Sequence, residues 1–99
     1  MPESSFRVVA ILKAKVGQER ALLDFALNAL DVIRSVEGLS KVELSQSRSD
    51  PGQLVLYYWW ESVEHSQSYV GGQIYSQIAP SLERLVQEHL LVGANLISG

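Results

Sequence analysis

Alternation with a period of two marks residues 6–15 as a first strand. Phe6, Val8, Ala10, Leu12 and Ala14 fall on one face, and Arg7, Val9, Ile11, Lys13 and Lys15 on the other. The second face is apolar in its middle and charged toward its ends, as in a strand covered on both sides at its centre. Residues 54–60, Leu-Val-Leu-Tyr-Tyr-Trp-Trp, carry the pattern further. Successive strand side chains point to opposite faces, so Leu54, Leu56, Tyr58 and Trp60 share one face, and Val55, Tyr57 and Trp59 the other. Neither face suits water. The sheet is therefore expected to be covered twice, by helices of this chain on one side and by a second copy of the protein on the other.

Between these strands the period changes. After a turn at Val16 and Gly17, residues 18–36 place Leu22, Phe25 or Ala26, Ala29 and Ile33 at helical spacing, with Leu23, Leu27 and Leu30 widening the stripe. Gly38 is expected to end this helix as a left-handed cap. Residues 39–47 alternate weakly and predict a more exposed strand. Residues 48–52 predict a tight turn, with Pro51 presetting its backbone angle and Gly52 free to take positive φ. Ser62 is suited to cap a helix starting at Val63, which Gly71 and Gly72 should interrupt. A second helical segment over residues 73–89 aligns Ile74, Ile78, Leu82, Leu85 and Val86, with Pro80 expected to kink it or open a separate helix. Residues 90–97 predict a last strand, with Gly93 as a bulge and His89 at the preceding helix C-terminus. The order is β-α-β-β-α-β in one domain spanning 1–99, an α+β, ferredoxin-like fold with a four-stranded antiparallel sheet.

Composition narrows the classes of function. A net charge of −3 and the absence of any Lys/Arg run leave no nucleic-acid footprint. With no cysteine, there is no thiolate nucleophile, disulfide or Cys-based zinc site. Residues 1–5 do not read as a secretory signal, and no stretch approaches the roughly 18 apolar residues a membrane span needs. A cytoplasmic protein that does not enter a membrane is the expectation. His65 and His89 lack a partner at helical spacing, so no metal is expected.

Residues 8–19, Val-Val-Ala-Ile-Leu-Lys-Ala-Lys-Val-Gly-Gln-Glu, continued through Glu37, Gly38 and Leu39, resemble the opening half of antibiotic biosynthesis monooxygenase (ABM) domains. Residues 50–62, from Asp50-Pro51-Gly52 to the Trp60-Glu61-Ser62 corner, with Glu64 following, resemble the same family's central strand and strand-to-helix corner. The resemblance runs from about Phe6 to Ile97. It implies a dimeric α+β barrel with a pocket in each subunit between sheet and helices. Relatives include cofactor-free oxygenases of quinols and anthrones, haem-degrading enzymes and proteins acting on signalling metabolites. The chain departs from the family at polar positions. Tyr58 stands where members often carry Glu, and Tyr69 and Ile74 stand where many carry His. The Asn and His of the haem-degrading branch align near Ala10 and Ala79, which disfavours haem chemistry.

The remaining chemistry is aromatic. Tyr57, Tyr58, Trp59, Trp60, Tyr69 and Tyr75 are close in sequence, and such rings serve either as core and interface or as walls of a flat apolar pocket. In the second role Tyr58, Trp60 and Tyr75 bind an aromatic or quinone-type substrate, while Tyr69 and His65 act as base or hydrogen-bonding groups. The function so implied is a cofactor-independent monooxygenase. The alternative is a dimer of the same fold that binds a small molecule, or acts as a scaffold, without catalysis.

Overall fold

The computed structural model describes residues 6–97. The stretch 1–5, read above for a targeting signal, lies outside them. Among the described residues the order is β1 (Phe6–Ala14), α1 (Glu19–Ile33), β2 (Leu39–Gln46), β3 (Gln53–Trp60), α2 (Val63–Val70), α3 (Gln73–Leu85) and β4 (Val86–Asn95). The four strands form one antiparallel sheet in the order β2-β3-β1-β4. This is the ferredoxin-like arrangement, with the second helical region split into α2 and α3.

The register follows the hydrophobic pattern. Ala10 pairs with Leu56 and Leu12 with Leu54 across β1 and β3, so the small and large members of one apolar face meet. That face lies under the helices, where Leu12, Leu22, Leu54 and Trp60 are essentially sealed from solvent. Each such burial contributes about 1.5–3 kcal/mol relative to exposure. The opposite face carries Val9, Ile11, Val55, Tyr57 and Trp59, none fully buried, and no described helix lies over it. There Arg7 and Lys41 stack against the Trp59 ring at 5.8 and 5.0 Å.

Helix α1 buries Leu22, Ala26, Leu30 and Ile33 at i, i+4, i+8 and i+11, and Glu19 in its first turn favours the positive end of the helix dipole. It ends earlier than expected. Arg34 is its C-cap, and Ser35 and Val36 donate back to the Val32 and Ile33 carbonyls in tight turns. Gly38 does take positive φ, +85°, but it serves the entry into β2 and not the helix end. The hairpin turn also differs in detail. Asp50 organises it, its carboxylate accepting from the Gly52 N–H at 3.0 Å and its carbonyl from Gln53 at 2.9 Å, without positive φ at Gly52. Lys13 hydrogen-bonds the same carboxylate, and that bond chiefly holds it below the usual carboxylate range.

The C-terminal third needs the largest correction. Helix α3 runs unbroken through Pro80, which lies on its exposed side, and stops at Leu85. Val86 already has extended geometry (φ −107°, ψ 144°) and opens β4 with no intervening loop. Residues 86–89 are therefore strand, and His89 sits opposite Leu12 in the sheet, not at a helix end. Gly93 pairs in register with Val8. The irregularity falls instead between Lys13 and Ala14. A Cβ at position 93 would lie 3.1 Å from the Phe6 ring, so the glycine makes room for that ring.

Candidate active site

A cavity of about 60 Å³ lies between the helix-covered face of the sheet and helices α1, α2 and α3. Its floor is Val8, Ala10 and Leu12 of β1 with Leu56, Tyr58 and Trp60 of β3. Phe25, Ala26 and Ala29 of α1 wall one side, and Tyr75, Ile78 and Leu82 of α3 the other. The period-two pattern of the strands aims the floor side chains the same way, and the 3.6-residue period of the helices lays their apolar stripes over them.

At one end of the cavity the aromatic rings are in series. Tyr58 stacks on Trp60 (6.2 Å between centroids, 11° between planes), Trp60 meets Tyr69 at 5.5 Å, and Tyr69 meets Tyr75 edge-on at 5.4 Å and 72°. The polar atoms among them are few. The Tyr58 and Tyr69 rings lie 6.3 Å apart with their hydroxyls acting on one another, and Tyr75 lies close to both. Burial pushes the Tyr58 phenol up to about 12, partly offset by the hydrogen bond from Tyr69. Burial raises Tyr69 further, helped by Tyr58 and Tyr75. Both phenols stay protonated at neutral pH. They can donate or accept a hydrogen bond but do not supply a phenolate base.

Comparison with known proteins places this arrangement. The sequence pattern of the antibiotic biosynthesis monooxygenase family, ABM, matches residues 5–80. The chain belongs to that family. Solved structures agree on the fold. A Deinococcus radiodurans protein provisionally named an antibiotic biosynthesis monooxygenase superposes with a TM-score of 0.87 at 15% identity, covering 95% of this chain and 94% of that one. Rv0793 of Mycobacterium tuberculosis gives 0.86 at 17% identity, with 95% and 96% covered. NE2512 of Nitrosomonas europaea, a protein of unknown function, gives 0.83 at 21% identity, with 95% and 90% covered. No functionally curated protein matches the sequence.

Within this ABM domain the residues singled out from sequence separate into two groups. Tyr58, Trp60, Tyr69 and Tyr75 all line the one apolar cavity. His65 does not. It lies on α2 facing a different, open groove of about 590 Å³, bordered by Val36, Glu37 and Ser68, with Tyr69 common to both spaces. Its ring is held at the corner. Ser62 Oγ accepts from the His65 backbone N–H at 3.1 Å and lies 2.8 Å from Nδ1, so the hydroxyl proton is free to be donated to that nitrogen. The imidazole also occupies the space a Cβ on Gly38 would need, only 2.1 Å from the ideal position. At this corner His65 gives its backbone N–H to the Ser62 cap and packs its ring under the β2 entry, outside the apolar cavity.

The missed residue is His89, which lines the cavity and also an adjoining groove of about 260 Å³. Its signal was period-two counting. Taken back from Leu91 through residue 89, alternation sets His89, Leu91 and Gly93 on the helix-covered face, opposite Leu12, Ala10 and Val8. For metals the donor set is poor: among the described residues no three His, Cys, Asp or Glu side chains converge.

Proposed function

We propose that this ABM protein is a cofactor-independent monooxygenase acting on a small aromatic or quinol-type molecule, bound between the sheet and α3. The observation that carries the reading is an apolar cavity whose aromatic end brings the Tyr58 and Tyr69 phenols together. Trp60 and Tyr58 offer flat faces to a ring, and the phenols offer a donor to a ring oxygen. In such chemistry the substrate supplies the electrons. For an anthrone, loss of a proton gives an electron-rich anion that reduces O2. One oxygen atom becomes the new ring carbonyl and the other leaves as water, so the methylene is oxidised to a ketone as O2 is fully reduced. The protein's part is to orient the ring, withhold bulk water and stabilise the anionic oxygen by hydrogen bonds.

The free space holds a few water molecules, less than a fused ring needs. Entry therefore requires α3 to move outward. That helix has no fully buried residue, so it is the less firmly held wall of the cavity.

The same proposal includes a cytoplasmic homodimer. Leu90 and Val92 on β4 are 55% and 46% exposed and adjoin Val9 and Ile11 on the uncovered face, an apolar surface suited to a second copy. Sedimentation velocity at micromolar concentration should give a dimer, converted to monomer by Val92→Asp. A folded wild-type monomer would refute this part.

Oxygen uptake by the purified protein with 1,8-dihydroxyanthrone, above the autoxidation blank, tests the activity. Tyr69→Phe should lower it by about tenfold or more. The protonated state of both phenols favours one competing reading, a dimer that binds the ring without turning it over. Saturable quenching of Trp60 fluorescence with no oxygen uptake would establish that reading instead.

A further inference from the structure

His89 is the one imidazole on the cavity wall, and nothing in the aromatic cluster uses it. Its position is set by the sheet. Directly opposite the sealed Leu12, it projects to the helix-covered side, while β4 is an edge strand whose side chains remain largely exposed. Tyr75, Leu82 and His89 line both the cavity and the adjoining groove, so this trio forms the passage between apolar interior and water. Unlike the His65 ring, whose Nδ1 is engaged by Ser62, the His89 ring has no hydrogen-bond partner among the described residues.

We infer that His89 is the proton acceptor of the site: it takes the proton of a phenolic or enolic hydroxyl on a ring inserted between the sheet and α3, and the groove beside it is the substrate entrance. The inference rests on the proposed binding of a phenolic ring in this cavity and names the group that reading lacked. The step is a simple proton transfer. The ring O–H bond breaks, an N–H bond forms on the imidazole, and the electron pair stays on the ring oxygen as an anion to which Tyr69 or Tyr58 can donate. Glu83 and Glu88 line the same groove, so the imidazolium formed meets negative charge there and not a like charge. The product proton then has a direct path to water along the groove, which a base buried behind the aromatic rings would lack.

The test uses the whole protein and two variants, His89→Gln and His89→Phe, with circular dichroism to establish that each folds. Two probes separate proton transfer from turnover. 4-Nitrophenol reports ionisation, because its anion is coloured and its neutral form is not, and it is used at a pH where the free phenol is mostly neutral. 1,8-Dihydroxyanthrone reports oxygen uptake. The expected result is that wild-type protein binds nitrophenol as the coloured anion, while His89→Gln binds it within about threefold as tightly but as the neutral form. Oxygen uptake should fall by about 100-fold or more in both variants, the size of a lost general base. Anion formation on the wild type that is lost in His89→Gln, without oxygen uptake, would sustain His89 as proton acceptor and overturn the oxygenase reading alone. Equal anion formation or equal uptake in His89→Gln would overturn the assignment of His89 while leaving the oxygenase reading standing. Failure of the wild type to bind either probe would overturn both.

Discussion

Helices α1 and α3 cover the same face of the same sheet, yet they are held in opposite ways. Helix α1 seals Leu22 completely and buries Ala26, Leu30 and Ile33 almost as well. Helix α3 presents Ile74, Tyr75, Ile78, Leu82 and Leu85 to the core but fully buries none of them. The cavity lies between the two, so one wall is a fixed part of the core and the other is only lightly attached. Elements that admit ligands come from the less stable parts of a fold, and here that division follows helix boundaries.

The largest expected effect separates the two helices directly. Leu22→Ala should cost about 2–5 kcal/mol in urea unfolding, because a packed site leaves a cavity. Leu82→Ala should cost clearly less, about 1 kcal/mol, since the site is already partly open. Equal costs would erase the contrast. Gly38→Ala comes next, at about 1–3 kcal/mol, combining positive φ with collision against the His65 ring. Repeating it in a His65→Ala background should recover the collision share and leave the backbone share. Alkali should act on the cavity side through its buried phenols. The Tyr58 phenol is raised to about 12 in the fold, so its contribution to stability is complete below pH 10 and lost as pH climbs toward 12. Unfolding midpoints measured from pH 8 to 12 should fall over that window, and Tyr58→Phe should flatten the fall. The smallest effect is Ser62→Ala, about 1 kcal/mol from the lost α2 cap. Amide exchange sharpens the comparison without mutation: α3 should exchange faster than α1, and a bound ring should slow α3 most.

The double-faced pattern of residues 54–60 and the alternation of β1 made the centre of the sheet legible, and the apolar stripe of α1 did the same for its cover. Four of the five side chains proposed for the site reached one cavity because strand parity fixed Tyr58 and Trp60, and Tyr69 and Tyr75 flank the Gly71–Gly72 break beside them. The errors share a cause. Leu82, Leu85 and Val86 keep helical spacing across the end of α3, and no glycine marks it, so local pattern extended the helix into residues that pair with β1. That pairing is a long-range contact invisible to a local period, and it moved His89 from a helix end to the cavity. The place of His65 was hidden for a similar reason. Its neighbour Ser62 was plain in the sequence, but Gly38, whose missing side chain gives the ring its place, lies across the fold.

The junction at Leu85 and Val86 passes from helix to strand within one peptide unit, and the Leu85 carbonyl is tied to the Lys15 N–H at 2.9 Å. With no slack on that side, an outward swing of α3 pivots on this joint and pulls on the first residues of β4. The same strand carries His89 toward one side of the sheet and Leu90 and Val92 toward the other. A guest wedged under the helix would thus be felt on the uncovered apolar face, giving the edge strand the part of a lever shared by the two sides of the sheet.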